Sequence, residues 1–493
     1  MSDATDSKQH RLLDVPQRPR QAPPDSTSGT VCLRPFREWA PDQGMLLPQY
    51  VRDALGPDHL ACFFLELGRS LDFSAILAKY TSDRGQPAYH PVMMTLLLMY
   101  AYAVGVISSR KISRECQTDL AFRLISGAAQ PDHDTLCAFR VRHLSAFRVL
   151  FLQTIELARQ MGFVRLGHLS VDGSKFEANA SKHKAMSYER MPAAMKKLEE
   201  EIDRLLTEAA AIDAEEDRRY GRGKRGDELP PGLGSPGAMA KAMKEAKARL
   251  EAEAKRKLAE EKKRRLKRIE EAKEALEKEA REKAKQEGKD VNETQPDPKA
   301  QRNFTDPESR IMPKNQRTFL QAFNAQLAVE AGSQLIVAEA VTQATNDLHQ
   351  LVPMVEQAIT NTGVVPRQVS ADSGYFDEDD IRAVESNGSE VFVATQRVKH
   401  GAPPQPPRGR APAGLTFKER MQRKLLTLRG RRAYARRKIT VEPAIGQIKN
   451  RTTRRFSMRG LQKAKGEFSL ICAVHNLVKL FRLGQTQLGV APG

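Results

Sequence analysis

The stretch Gly167-His168-Leu169-Ser170-Val171-Asp172-Gly173 decides how the rest of the chain is read. It has the pattern of a short β-strand ending in an acid and a glycine, and it follows a long run of helical pattern. A second stretch, Gln368-Val369-Ser370-Ala371-Asp372, ends the same way. Taken singly, an acid just past a strand is usually a turn or capping residue. Two strands ending alike, followed by a glutamate, Glu442, on a basic helix, ask for a shared reason.

Upstream, apolar residues recur at three- and four-residue spacing in Leu60 to Leu67, Pro91 to Val106, Ile112 to Ile125 and Asp134 to Met161. That period predicts an all-α N-terminal domain over residues 31–162. Asp132 or Asp134 is placed to cap the last of its helices. The apolar run Val92 to Ile107 is shorter than the roughly 20 residues of a membrane span, so it reads as a buried helix. Residues 1–30 are polar, rich in Pro, Ser and Asp, and lack an apolar h-region, which predicts a disordered tail rather than a signal peptide.

Downstream, Met195, Leu198, Ile202, Leu205, Ala209 and Ile212 form the seam of a coiled coil. A Gly/Pro-rich break, Gly221 to Gly237, and a second charged helix from about Met239 to Gln286 complete an inserted helical hairpin within residues 193–300. Between Lys196 and Asp290 stand 27 basic and 24 acidic residues, so the hairpin reads as a solvated element laced with ion pairs and not as the main seat of the positive charge. Its seam needs a partner, either its own second helix or another subunit. Next, Phe323 to Val329 and Leu335 to Val341 predict a β-hairpin around Glu330-Ala331-Gly332-Ser333. Asn346-Asp347 is expected to cap a helix running through Ile359, and Glu390 to Thr395 to form a strand. A Pro/Arg-rich loop, His400 to Pro412, leads to the basic helices carrying Glu442, and Glu467 to Leu483 closes the chain as an apolar helix.

The formal charge of +19 points to a polyanionic partner, either nucleic acid or an anionic membrane. Its location favours nucleic acid. From Arg397 to Arg459 there are nineteen Lys/Arg against two acids, Glu419 and Glu442, so nearly all of the net charge sits beside the third acid. The five cysteines are scattered, without a CxxC pair or a His at zinc spacing, which argues against a disulfide framework or a zinc site and fits a reducing, cytoplasmic setting.

Strand with acid, β-hairpin, helix, strand with acid, strand, and helix with glutamate is the order of an α/β, RNase H-like domain, here residues 163–192 and 301–485. Phosphodiester chemistry needs such a cluster of hard oxygen donors to hold two Mg²⁺ roughly 4 Å apart, with Mn²⁺ as a substitute. The residues alone leave open a nuclease or resolvase that cuts without joining, and a DNA-binding protein without catalysis.

The chain also resembles the bacterial insertion-sequence DDE transposases over roughly Val31 to Arg482. Val171-Asp172-Gly173-Ser174-Lys175-Phe176-Glu177-Ala178-Asn179-Ala180 is similar to the segment around the family's first aspartate. Ala371-Asp372-Ser373-Gly374-Tyr375-Phe376 resembles its Asp-x-Gly-Tyr motif, and Glu442 with Lys449 matches its Glu-x6-Lys spacing. In the family's Tyr-x2-Arg-x3-Glu pattern, Lys438 stands at the arginine position here, and Tyr434 is one residue further away. The resemblance implies Asp172, Asp372 and Glu442 as catalytic metal ligands. It implies DNA contacts at Lys449, Tyr434, Arg437, Lys438, Arg454 and Arg455, and double-stranded terminal inverted repeats and target DNA as substrates. It further implies a homo-oligomer on DNA at the bacterial nucleoid. The N-terminal helices resemble the family's end-recognition region, with Ser108-Ser109-Arg110-Lys111 a candidate phosphate contact.

Overall fold

The computed structural model describes residues 50–80, 87–220, 236–286, 288–290, 294–313, 318–396, 407, 409 and 411–487. The expected tail, the Gly/Pro-rich break and most of the Pro/Arg-rich loop lie outside these residues. Among the described residues, no helix is long and apolar enough to cross a membrane.

Among the described residues, eight helices come first: α1 (Val51–Leu55), α2 (Leu60–Ser70), α3 (Ser74–Leu77), α4 (Pro91–Ala103), α5 (Ser109–Thr118), α6 (Leu120–Ser126), α7 (His133–Arg142) and α8 (Leu144–Gln160). The apolar run became α4, buried from Met94 to Ala103. Two longer helical patterns each break in two. Asp119 starts α6 by accepting from the amides of Ala121 and Phe122, and His143 separates α7 from α8. Asp132 is the cap of α7, accepting from the Thr135 amide at 2.6 Å.

A mixed sheet, a separate two-stranded pair of β2 and β3, and further helices follow. They are β1 (Leu169–Glu177), β2 (Ala185–Ser187), α9 (Met191–Tyr220), α10 (Pro236–Gln286), β3 (Gln301–Asn303), β4 (Arg310–Pro313), β5 (Phe319–Glu330), β6 (Ile336–Thr342), α11 (Leu351–Thr362), β7 (Gln368–Ala371), α12 (Glu378–Ser386), β8 (Glu390–Val393), α13 (Phe417–Leu426), α14 (Leu428–Gln447) and α15 (Leu461–Gln487). The order across the sheet is β4-β5-β1-β7-β8, with β6 also on β5. Strand β1 is central, antiparallel to β5 with Asp172 opposite Leu327, and parallel to β7, which is parallel to β8. It does not end at Gly173 as its sequence suggested. Pairing with β5 continues to Glu177, because Phe176 is fully buried in the core and holds the strand down.

Each face of β1 has its own core, as the period of two requires. Leu169 and Val171 pack with α11 and α12 through Leu351, Val355, Ile381 and Val384. On the other face, Phe176, Phe323 and Leu327 share one core with Val441 and Ala444 of α14, Phe468 and Leu477 of α15, and Phe64, Leu97 and Phe147 of the N-terminal helices. The all-α region therefore has no core of its own: α15 packs on α4, α8 and β6 together.

The hairpin seam found its partner within the chain. Leu198, Ile202, Leu205 and Ala209 of α9 are buried, as are Ala252, Ala259, Ile269, Ala272 and Leu276 of α10. Ion pairs Lys262–Glu201, Lys255–Glu208 and Arg256–Asp213 fix the two helices antiparallel.

Candidate active site

Asp172 lies in the middle of β1 on the face that α14 covers. Asp372 stands immediately past β7, the parallel neighbour, where its Oδ1 accepts from the Gly374 amide at 2.8 Å. Helix α14 begins at Thr427, whose hydroxyl accepts from the Gly430 amide, and it packs on β1, β5, β7 and β8. Its buried side, with Ala433, Thr440, Val441 and Ala444, turns Arg437 towards the sheet and leaves Glu442 more open.

One guanidinium joins two of the acids. Arg437 Nη1 lies 2.8 Å from Asp172 Oδ2, and its Nη2 lies 3.0 Å from Glu442 Oε1. Asp172 and Arg437 are nearly buried, whereas the Glu442 side chain is 45% exposed. Burial pushes the Asp172 carboxyl up to about 7; Arg437 opposes that rise, while the charges of Asp372 and Asp347 add to it. Asp172 is thus a nearly buried carboxyl with one arginine and two further acids in its field.

Asp347 was expected to cap a helix. Helix α11 instead starts at Leu351 without a side-chain cap, and Asp347 Oδ1 accepts from Asn324 Nδ2 and Gln326 Nε2, both at 2.7 Å. Asn324 and Gln326 are fully buried polar residues in the middle of β5, and Tyr375, three residues past Asp372, donates its hydroxyl proton to Gln326 Oε1. Asp347 comes so close to β1 that a Cβ on Gly173 would stand 2.3 Å from its Oδ1. Glycine beside Asp172 is therefore a packing requirement.

The other candidate residues separate into two groups. Arg437 is in the site and Lys438 is exposed outside it, so Tyr434 and Arg437 keep the motif's Tyr-x2-Arg spacing with one extra residue before Glu442. The Arg437 guanidinium lies over the Tyr434 ring, 5.8 Å from its centroid. Lys449 is not on a straight continuation of α14. The helix widens into a π-helical segment, Ile448–Thr452, and Lys449 Nζ donates to Ser174 Oγ at 2.6 Å and to the Lys175 carbonyl at 3.1 Å. Its ammonium is thus docked on β1 two residues beyond Asp172. Arg454 and Arg455 are exposed, donating to Asn450 and Asn179 respectively. Arg110 and Lys111 are also exposed.

Among the described residues, one set of three potential ligand atoms comes within 4.8 Å, that of His349, Asp377 and Asp380. Asp377 there is occupied as the cap of α12, accepting from the Asp379 and Asp380 amides. No three of Asp172, Asp372, Glu442 and Asp347 bring their oxygens within that distance of one another, although they are oxygen donors of the kind that suits a hard cation such as Mg²⁺.

Residues 50–142, the span of α1 to α7, match the family described as a transposase domain (DUF772). Residues 413–481, which carry Arg437, Glu442 and Lys449, match the family described as a transposase DDE domain. Asp172 and Asp372 lie outside both ranges. No curated protein and no solved structure matches the chain. The chain thus carries a match to a transposase domain at its N-terminal helices and to a transposase DDE domain on the helices over the sheet, which together support a transposase function.

Proposed function

We propose that Asp172, Asp372 and Glu442 form the divalent-metal site at which this transposase cuts and joins DNA. The observation that carries the reading is the single Arg437 fork. It joins acids that are 265 and five residues from it in sequence, Asp172 by hydrogen bond and Glu442 by ion pair, beside Asp372. The sheet order, with β5 antiparallel and β7 and β8 parallel to the central strand, supports an RNase H-like core. The oxygen-only donors fit two Mg²⁺ ions, which Mn²⁺ would replace. When bound, such ions activate the attacking hydroxyl and stabilise the leaving oxygen of a phosphodiester.

The chain's own residues prepare that site. Arg437 holds Asp172 and Glu442 in register, so its charge serves the carboxylates and not the DNA backbone. Asp347, fixed by two amides from β5, sets the turn that carries Asp372. Lys449 pins the end of α14 to the strand of Asp172. Exposed Lys438, Arg454 and Arg455 supply backbone contacts, which position DNA without reading its sequence. The substrates in this reading are terminal inverted repeats recognised by the N-terminal helices, with a homo-oligomer assembling on them in the bacterial nucleoid.

The test is strand transfer. The DNA flanking the gene supplies candidate repeats, which are incubated as labelled duplexes with target plasmid, protein and Mg²⁺. Ends joined to the target are expected. Ends that are cut and never joined would leave a nuclease, and ends bound but uncut would leave a non-catalytic binder.

A further inference from the structure

Past Glu442, the groove between α14, the π-helical segment and α15 has a volume of about 530 Å³ and is lined by Pro443, Gly446, Gln447, Asn450, Arg451 and Arg482. Pro443 directly follows the glutamate, so the groove opens on the same turn of α14. Its floor carries unanswered donors. Arg451 Nε and Nη2 are buried without a hydrogen-bond partner among the described residues, and Gln447 Oε1 is likewise unpartnered. A side-chain amide can turn its NH₂ towards a ligand.

Among the described residues, the charged group that acts on Arg451 is another cation. Arg482 is its electrostatic neighbour, and Arg451 and Arg482 both act on Lys479 and His475 of α15, with no carboxylate among the groups that act on the three. Each of them is shifted towards its neutral form, first by burial and then by these cations. Lys479 donates to Gln334 Oε1 at 2.6 Å, and His475 faces the Gln334 carbonyl, so neither neutralises Arg451. Buried charges in proteins are normally paired. This one is also held in place: the Arg451 carbonyl presses against Gly105 at the end of α4, where a Cβ would stand 2.4 Å from it and where φ is +80°. Only glycine fits both conditions, so α4 fixes the π-helical segment that presents Arg451.

We propose that this groove is a binding site for a phosphate of the DNA backbone, with Arg451 as the principal donor and Arg482 at its mouth. The inference rests on the reading of Glu442 as part of a phosphodiester site: a strand that reaches the carboxylates passes over the groove next. A guanidinium with two unanswered N–H groups, lining a groove, is suited to a phosphate.

The experiment measures binding of the full-length protein to a fluorescein-labelled 30-base-pair duplex of arbitrary sequence, without divalent metal, between 50 and 200 mM NaCl. Each phosphate contact contributes about 0.9 to the slope of log affinity against log salt, or about threefold to fourfold over that range. Arg451→Met is expected to lower the slope by about one contact. Its melting temperature in the absence of DNA is expected to equal or exceed the parent's, because an unpaired buried charge has been removed. A structural arginine gives the opposite result, a lower melting temperature with an unchanged slope, and that outcome overturns the proposal. Should Arg451→Met fail to fold, the exposed Arg482→Gln decides: a reduced slope supports the site, and an unchanged one removes it. If inorganic phosphate protects the parent and not Arg451→Met against heat while the slope stays unchanged, the groove takes a free anion and the DNA assignment falls. A flat salt response of the parent itself would instead defeat the DNA reading of the whole protein.

Discussion

Along the hairpin, cations and anions pair across an apolar seam: Lys255 with Glu208 at 2.9 Å, Lys262 with Glu201, Arg256 with Asp213. At the carboxylate end of the sheet, one Arg437 serves both Asp172 and Glu442, while Asp372 and Asp347 add to the same field. Both regions are dense in charge. The difference lies in burial and sharing, since exposed pairs are individually worth little, whereas a nearly buried Asp172–Arg437 pair crowded by further acids is costly and persists where function requires it. Charge density alone therefore does not mark a site.

The largest effect expected from this contrast concerns the shared guanidinium. Arg437→Gln leaves two acids without their counter-ion and should cost about 3–5 kcal/mol of stability in metal-free buffer, as breaking a buried pair does. Added Mg²⁺ should restore part of that loss. A melting curve that is the same with and without Mg²⁺ would mean that the cluster does not take the ion. Next, Gly173→Ala drives a methyl to within 2.3 Å of Asp347 Oδ1 and 2.6 Å of Gln326 Nε2. End cleavage should fall by about a hundredfold, as misplacement of reacting groups by an ångström does. Retained cleavage would show that this contact does not position Asp172.

Hairpin changes should be smaller and confined to the hairpin. Leu198→Ala should destabilise it by about 2 kcal/mol, read by hydrogen exchange of α9, with cleavage at the parent rate. Lost cleavage would contradict the separation of the two regions. Smallest of all, a double-mutant cycle on Lys255 and Glu208 should give less than about 1 kcal/mol of coupling.

Much of this arrangement was readable from residue pattern. Strand and helix periods located Asp172, Asp372 and Glu442 on their elements, the β5–β6 hairpin, the buried α4, and a seam whose partner proved to be α10. What escaped depended on contacts distant in sequence. Asp347 follows Asn346 just ahead of a helix, the local signature of a cap, and only the folded sheet brings it to Asn324 and Gln326. The signal present was those two amides, placed at alternate positions in an otherwise apolar strand where a core would exclude them. Lys438 occupies the motif's arginine position by counting, yet Arg437 is the residue that turns to the sheet. The π-helical turn at Lys449 changes a helical spacing argument into a docking contact. The N-terminal helices have an amphipathic period of their own, and nothing in that period says that α15 completes their core.

The three carboxylates are tested most directly by cleavage of a labelled terminal-repeat duplex in Mg²⁺ by Asp172→Ala, Asp372→Ala and Glu442→Ala, with binding of the same duplex measured alongside. Cleavage should fall to background in each variant while binding stays near the parent level. Cleavage at the parent rate by Asp372→Ala would contradict the assignment of the three carboxylates to one site.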